Sequence, residues 1–279
     1  MEKILLALDA RKLNPATIDF ACYISRLTRS KLTGIFLENL IYEDNHATRS
    51  VQGAPHLDCM IMDDSHENFQ KEGITGENIQ FFKDACCSRE VSTLIHRDRG
   101  VPLSETLAES RFADLIIIDP ETSFTKSHEA PPGKFVKDIL LESECPVIIA
   151  PYSFDDLGEI IFTYNGTKSS VFAIKQFCYQ FPELRHKKVT VLNVRVDGES
   201  AIEEQFKMKE WLKGHYNEVE YVILKGDPSD QLFGYLIEKK NCIVVMGAYG
   251  RGMLSRFLKP SHARLIVKTI NLPIFVAHV

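Results

Sequence analysis

The chain has 279 residues, of which 44% are hydrophobic and 25% charged, and its formal net charge is −5 at pH 7. These proportions are typical of a soluble globular protein. No apolar run reaches the length of a membrane span, and the mild acidity argues against a general nucleic-acid binder. The apolar run within the first nine residues is too short for a signal peptide, and it is followed too early by an acidic residue. Seven cysteines without a framework spacing predict reduced thiols and a cytoplasmic protein.

The first half of the chain alternates apolar runs with helical patterns. The predicted strands are 3–9, 31–37, 91–95, 114–119 and 146–150. The first predicted helix is opened by Asn14 and Pro15. The second begins near residue 65, the third begins after Gly100, and the fourth spans 133–142. The inner face of the first helix is marked by Ile18, Ala21, Cys22 and Ser25.

An insertion separates the second strand from the third. Residues 38–64 are polar and lack a clean period, which is typical of a functional or disordered loop. We predict that the helix after it, at 65–87, is interrupted near Gly73 and Gly76. The whole insertion is therefore placed at about 38–76.

The second half repeats the same order of elements. Its predicted strands are 159–165, 188–196, 218–224, 242–246 and 274–277. Its first two predicted helices are 168–181 and 200–216. A third is capped by Asp227 with Pro228 in its first turn, and a fourth begins near Ser261. Strands that alternate with helices predict parallel sheets covered on both faces, here in two tandem domains of about 150 and 129 residues.

A glycine-bearing loop follows the apolar run at 242–246. Gly247 and Gly250 lie in this loop, and a helical pattern starts near Ser261. Glycines let the backbone approach a ligand closely, and the free N–H groups of a helix start favour an anion. Residues 241–279 hold no acidic residue and five basic ones. This loop therefore predicts a phosphate cradle, although the two glycines can also be read as ordinary turn glycines.

The spacing Gly247-x2-Gly250-x9-Pro260-Ser261 resembles the Gly-x2-Gly-x9-Gly-Ser/Thr nucleotide signature of the universal stress proteins. Pro260 departs from that signature, because proline lacks the N–H that glycine would supply. The resemblance covers nearly the whole chain as two copies, at 1–152 and 158–279, outside the insertion. It implies an α/β fold with two five-stranded Rossmann-like sheets of strand order 3-2-1-4-5, with ligands at the strand carboxyl ends.

The resemblance also implies a nucleotide site in the second copy. Asn165, where the family has an acid, and the backbone at Val194 would hold the adenosine. Backbone N–H groups of the glycines, Ser261 and His262 would hold phosphates, together with the Arg251 side chain. The full predicted site is Thr163, Asn165, Val194, Met246, Gly247, Gly250, Arg251, Ser261 and His262. The implied ligand is ATP or another adenine nucleotide, with or without Mg²⁺.

The first copy lacks this cradle. Asp119 stands where the second copy has Gly247, and residues 114–150 carry seven acids and three lysines. A carboxylate repels phosphate, more strongly as the site excludes water. We therefore predict that the first copy does not bind a triphosphate.

The principal hypothesis is a cytoplasmic stress-response protein that binds a regulatory adenine nucleotide and has no nucleic-acid or membrane partner. No residue stands out as a catalyst, so any hydrolysis would be slow. A protein-binding scaffold without nucleotide is the alternative, and an enzyme built on the loop after Glu38 is a third possibility. A polar loop is favoured over a metal site at His56, Cys59, Asp63, Asp64 and His66. For Cys86 and Cys87, one buried and one exposed thiol is favoured over a redox pair.

The fifth strands of two such domains pair antiparallel in this family and form a dimer. Both fifth strands lie in one chain here, joined by a linker of only residues 151–158. An open apolar edge strand is an aggregation hazard that proteins cover, and the short linker makes pairing of the two edges favourable. The sequence therefore predicts an intrachain pseudo-dimer, with any further homodimer using another surface.

Overall fold

The computed structural model describes residues 1–39, 64–125, 129–195, 204–247 and 271–277, with backbone only for 64–71. The first half comprises strands β1 (Lys3–Asp9), β2 (Lys31–Asn39), β3 (Thr93–Gly100), β4 (Leu115–Ile118) and β5 (Val147–Ile149). Its described helices are α1 (Pro15–Thr28), α2 (Asp64–Cys87), α3 (Pro102–Ser110) and α4 (Lys134–Glu142).

The second half repeats this series. Its strands are β6 (Glu159–Thr163), β7 (Lys188–Arg195), β8 (Val219–Lys225), β9 (Cys242–Gly247) and β10 (Ile274–Ala277). Its described helices are α5 (Lys168–Gln180), α6 (Gln205–Lys213) and α7 (Pro228–Ile237), with a short 3-10 turn at Pro182–Leu184. The predicted caps are confirmed, since Asn14 accepts from the Ala16 N–H and Asp227 from those of Ser229 and Asp230.

All ten strands form one sheet in the order β3-β2-β1-β4-β5-β10-β9-β6-β7-β8. The strands of the first half are parallel to one another and lie in the order 3-2-1-4-5. The strands of the second half are arranged in the same way. The predicted fold class is therefore confirmed.

The two halves join through their fifth strands. β10 pairs antiparallel with β5, with Phe275 opposite Ile148 and Val276 opposite Val147. This pairing covers the edge that each half would otherwise leave open. The predicted intrachain pseudo-dimer is confirmed.

The core lies on both faces of this sheet and crosses the junction. Successive side chains of a strand point to opposite faces, so Ile148 and Phe275 belong to one apolar cluster while Val147 and Val276 belong to the other. On the first face the ring of Phe275 lies 5.2 Å from that of Phe177 in α5, edge to face. Burial of apolar surface therefore stabilises the junction as well as each half.

Helix α2 is continuous, so the predicted interruption at Gly73 and Gly76 is wrong. Its buried residues Thr75, Phe82 and Cys86 face inward, and Phe82 packs edge to face on Phe36 of β2 at 5.7 Å. Two exposed glycines cost a helix only about 1 kcal/mol each relative to alanine. Tertiary packing outweighs this local preference.

Alanine at either helical glycine is expected to stabilise the protein. A Cβ at Gly73 or Gly76 would meet no atom within 4 Å, so Gly73→Ala and Gly76→Ala should each raise the free energy of unfolding by about 0.5–1 kcal/mol. Urea denaturation of the single and double variants measures this, and a decrease in either variant contradicts it.

Strand β3 extends to Gly100, beyond its predicted end at residue 95. The added residues are polar, but Arg97 Nε lies 2.5 Å from Glu38 Oε1 and Arg99 Nη2 lies 2.6 Å from Glu72 Oε1. β3 is an edge strand, and its ladder with β2 continues to the pair Asn39–Gly100. One ion pair to β2 and one to α2 therefore support these last residues instead of apolar alternation.

Candidate functional site

The described residues of the predicted second-half site lie at a topological switch point of the sheet. The chain leaves β6 toward β7 on one side, whereas β9 pairs with β6 on the other side. Open α/β sheets bind ligands in the crevice at the strand carboxyl ends of such a point. Here those ends carry Asn165 after β6, Val194 near the end of β7, and Gly247 at the end of β9.

Asn165 lies at the exposed start of the loop that leads into α5. Its Oδ1 accepts hydrogen bonds from the Thr167 N–H at 3.2 Å and from the Thr167 hydroxyl at 2.7 Å. Gly166 between them has a φ of 76°, in the left-handed region that favours glycine. The Thr167 side chain in turn caps α5 by accepting from the Ser170 N–H. The turn leaves the amide group of Asn165 at the surface, beside the positive end of a helix.

Gly247 lies against the first turn of α5. A Cβ at this position would lie 2.5 Å from the carbonyl carbon and oxygen of Ser169 and 2.7 Å from the nitrogen of Ser170. Real Cβ atoms do not approach backbone that closely, so only glycine fits without a shift. The glycine is therefore required by helix-to-strand packing, which is one of the roles of glycine in dinucleotide-binding folds.

Three predicted site residues line the strand ends from within. The side chains of Thr163 and Met246 are buried, and the Thr163 hydroxyl donates to the Val245 carbonyl at 3.0 Å. Val194 is half-buried. The Thr163 hydroxyl therefore ties β6 to β9 at the switch point.

A residue that the sequence prediction missed supports this edge. The side-chain amide of Asn193, which is buried, donates to the Tyr164 carbonyl at 2.7 Å, and its oxygen accepts from Arg195 Nε at 2.9 Å. This links the ends of β6 and β7 directly before Asn165. A buried asparagine needs hydrogen-bond partners. The position of Asn193 near the end of an apolar strand was therefore the sequence feature that could have indicated a structural role at this edge.

The remaining predicted ligands, Gly250, Arg251, Ser261 and His262, lie outside the described residues, as does Pro260. Their roles remain predictions. His56, Cys59 and Asp63, for which a polar loop was favoured over a metal site, also lie outside the described residues, as do the side chains of Asp64 and His66. Within the ranges that the structure describes, no three His, Cys, Asp or Glu side chains could together hold a metal ion.

The equivalent switch point of the first half has different chemistry. A cavity of about 500 Å³ opens at the carboxyl ends of β1 and β4. Its acidic lining residues are Asp9, Asp119, Glu121 and Glu129. Burial raises the pKa of the Asp9 carboxyl, against hydrogen bonds and positive charge from Arg11 and Lys12 that lower it. These carboxylates make the cavity unfavourable for a polyphosphate.

Asp119 is 9% exposed, and the protein itself satisfies its carboxylate. Oδ2 accepts from Asn14 Nδ2 at 2.5 Å and from the Thr17 hydroxyl at 3.1 Å, while Oδ1 accepts from the Glu121 N–H at 2.7 Å. Asn14 is the cap of α1. An internal carboxylate therefore occupies the start of the helix, where an anionic ligand would otherwise bind.

Removing this carboxylate is expected to destabilise the protein. Asp119→Ala leaves the partly buried Asn14 amide and the buried Thr17 hydroxyl without their acceptor, which should cost about 1–3 kcal/mol. Thermal and urea unfolding measure the loss. Glu121→Ala, at an exposed position of the same cavity, is the control that should change stability little; equal effects would contradict the assignment.

No protein-family model matches this sequence, and no curated protein matches it. Solved structures do match it over its full length. A universal stress protein from Archaeoglobus fulgidus DSM 4304 superposes with a TM-score of 0.69 at 16% identity, over 99% of this chain and 96% of that one. The chain has the fold of two tandem universal stress proteins.

Two further structures have this fold. A putative universal stress protein from Pseudomonas aeruginosa UCBPP-PA14 has a TM-score of 0.56 at 14% identity, over 100% of this chain and 93% of that one. A protein of unknown function from Pseudomonas aeruginosa PAO1 has a TM-score of 0.54 at 14% identity, over 100% of this chain and 92% of that one. None of the described helices of this chain combines the length and the apolar character that crossing a bilayer requires.

Proposed function

We propose that the chain is a cytoplasmic stress-response protein whose second half binds an adenine nucleotide as a regulatory ligand. One observation carries the proposal. The switch point of the second half ends in an exposed amide and a glycine, Asn165 and Gly247, whereas that of the first half carries a carboxylate, Asp119, held by the protein. The exposed amide and the glycine bring no negative charge that would repel a phosphate, and the start of α5 beside them favours an anion.

The sequence after β9 supports the same ligand class. Gly250 continues the Gly-x2-Gly spacing, and the excess of basic residues at 241–279 raises the local concentration of anions. The Asn165 oxygen already accepts two hydrogen bonds from Thr167, so the Asn165 amide nitrogen would donate to a ribose hydroxyl, a weaker contact than one to a carboxylate. We therefore expect the phosphates to contribute most of the binding affinity. The affinities for ATP, ADP and AMP should then differ according to the charge of each nucleotide.

Calorimetric titration of purified protein with ATP, ADP and AMP tests the proposal, preceded by native mass spectrometry for a co-purified nucleotide. Gly250→Asp adds a negative charge and a Cβ to the cradle and should abolish binding. Gly234→Asp, at an exposed position of α7 with open space around it, adds the same charge elsewhere and should bind as the wild type does. Equal binding by the two variants would refute the cradle.

A scaffold that binds protein partners without nucleotide is the second candidate. Asp119 favours it, because at one of the two switch points the protein's own carboxylate takes the place at the helix start where an anionic ligand would bind. Absence of any nucleotide in the native mass spectrum together with no heat of titration would favour this candidate over the first.

A further inference from the structure

Two cysteines from different helices meet beneath the surface of the first half. Cys22 of α1 and Cys86 of α2 have their sulfur atoms 3.6 Å apart, and both residues are buried. As expected from the sequence, Cys86 is buried and Cys87 is exposed. The close partner of Cys86 is, however, the distant Cys22 and not the adjacent Cys87.

One member of the pair, Cys22, borders a cavity that opens to the surface. Cys22 is only 1% exposed, yet it lines a surface cavity of about 420 Å³ together with Asp19, Arg26 and Arg89. Arg89 Nη2 is held 2.5 Å from Asp19 Oδ1, which fixes the guanidinium at this cavity. A cationic, partly open setting of this kind is where reactive thiols occur in proteins.

The environment of Cys22 differs from that of other buried thiols. The hydrogen bond with Cys86 lowers the pKa of the Cys22 thiol, and the charges of Arg89 and Arg26 lower it as well, against burial, which raises it. Burial instead raises the pKa of Cys145, Cys178 and Cys242 to about 12. Among these four buried thiols, Cys22 is therefore the one whose pKa is lowered.

We propose that Cys22 and Cys86 form an oxidation site at which a hydroperoxide converts the two thiols into a disulfide. The Cys22 thiol loses its proton and its sulfur attacks one oxygen of hydrogen peroxide. The O–O bond breaks, Cys22 becomes a sulfenic acid, and the leaving hydroxide takes up that proton to give the first water. The Cys86 sulfur then attacks the Cys22 sulfur, the S–O bond breaks, and the oxygen leaves as water with the proton of the Cys86 thiol. Two thiols are oxidised and one peroxide is reduced to two waters.

The disulfide would fix α2 to α1 across a separation of 64 residues. α2 also contacts the loop after β1, because Asn78 Nδ2 donates to the Ala10 carbonyl at 2.9 Å. This loop borders the first-half cavity. Oxidation would therefore hold together α1, α2 and the rim of that cavity, without involving the second half.

Peptide mapping of the full-length wild-type protein tests the proposal. Reduced protein is treated with hydrogen peroxide, denatured in N-ethylmaleimide, digested with trypsin and mapped by mass spectrometry. The expected product joins peptide 13–26 to peptide 84–89. Its mass is the sum of the two peptides less two hydrogens, plus one N-ethylmaleimide on the free Cys87 thiol, and dithiothreitol removes the linkage. Recovery of both peptides with all thiols alkylated, or with only Cys87 oxidised, would overturn the proposal.

Variants identify the partner, since peptide 84–89 also contains Cys87. Cys87→Ser should retain the linkage to Cys22 and Cys86→Ser should abolish it; the reverse result would overturn the assignment. Arg89→Gln should slow formation of the linkage several-fold, whereas Arg111→Gln, which removes an arginine paired with Glu144 elsewhere, should not. Equal rates in these two variants would also contradict the proposal.

Discussion

Replacing Gly247 by alanine is expected to destabilise the second half and to abolish nucleotide binding. The added Cβ would lie 2.5 Å from the backbone of Ser169, and a backbone segment at the start of a helix cannot move aside as a flexible side chain can. Overpacking of this kind costs about 1–3 kcal/mol. Relief requires α5 to move away from β9, which would also displace the turn at Asn165.

Gly234→Ala is the matched control, because a Cβ there meets no atom within 4 Å. Urea unfolding and ATP titration are measured on both variants at a temperature where both are folded. Wild-type stability and binding in Gly247→Ala would contradict the close approach. Lower stability with unchanged binding would retain the packing role and refute the role in the nucleotide site.

Replacing Phe275 by alanine is expected to cost about 3–5 kcal/mol of stability, the range for a large aromatic side chain removed from a core. Phe275 is fully buried in β10, opposite Ile148 of β5. Its ring lies 5.2 Å from that of Phe177 and 6.1 Å from that of Phe181. The cavity would open beside the strand pair that joins the two halves.

Phe112→Ala removes the same side chain from a position that is 76% exposed, and it should change stability by less than about 0.5 kcal/mol. Both variants are compared by urea and thermal unfolding. If Phe275→Ala lost less than about 1 kcal/mol, the junction would contribute little to the stability of the folded chain.

Much of the fold follows from local sequence. Runs such as Ile243 to Met246 are apolar on both faces, as strands buried in a parallel sheet must be, and proline with a capping residue fixes the starts of α1 and α7. The end of β3 could not be predicted, because Arg97 and Arg99 are supported by Glu38 and Glu72 from elsewhere in the chain. The continuity of α2 depends likewise on what its buried face contacts.

The candidate site was predictable only where one residue type decides the outcome. A glycine at the end of β9 and an aspartate at the end of β4 are visible in the sequence, and they separate the two switch points. The two side-chain partners of Asp119, Thr17 and Asn14, are 102 and 105 residues away, so these two hydrogen bonds had no local signal in the sequence. The Cys22–Cys86 contact was missed for the same reason, since adjacency in sequence drew attention to Cys87.

The antiparallel join between β5 and β10 also sets the directions in which the two halves face. Strands within each half are parallel, so reversing direction at the join points the carboxyl ends of the two halves to opposite edges of the common sheet. The acidic first-half cavity and the second-half switch point therefore open away from each other. No single small ligand can bridge them, and one protein can contact one edge while the other edge remains open to solvent.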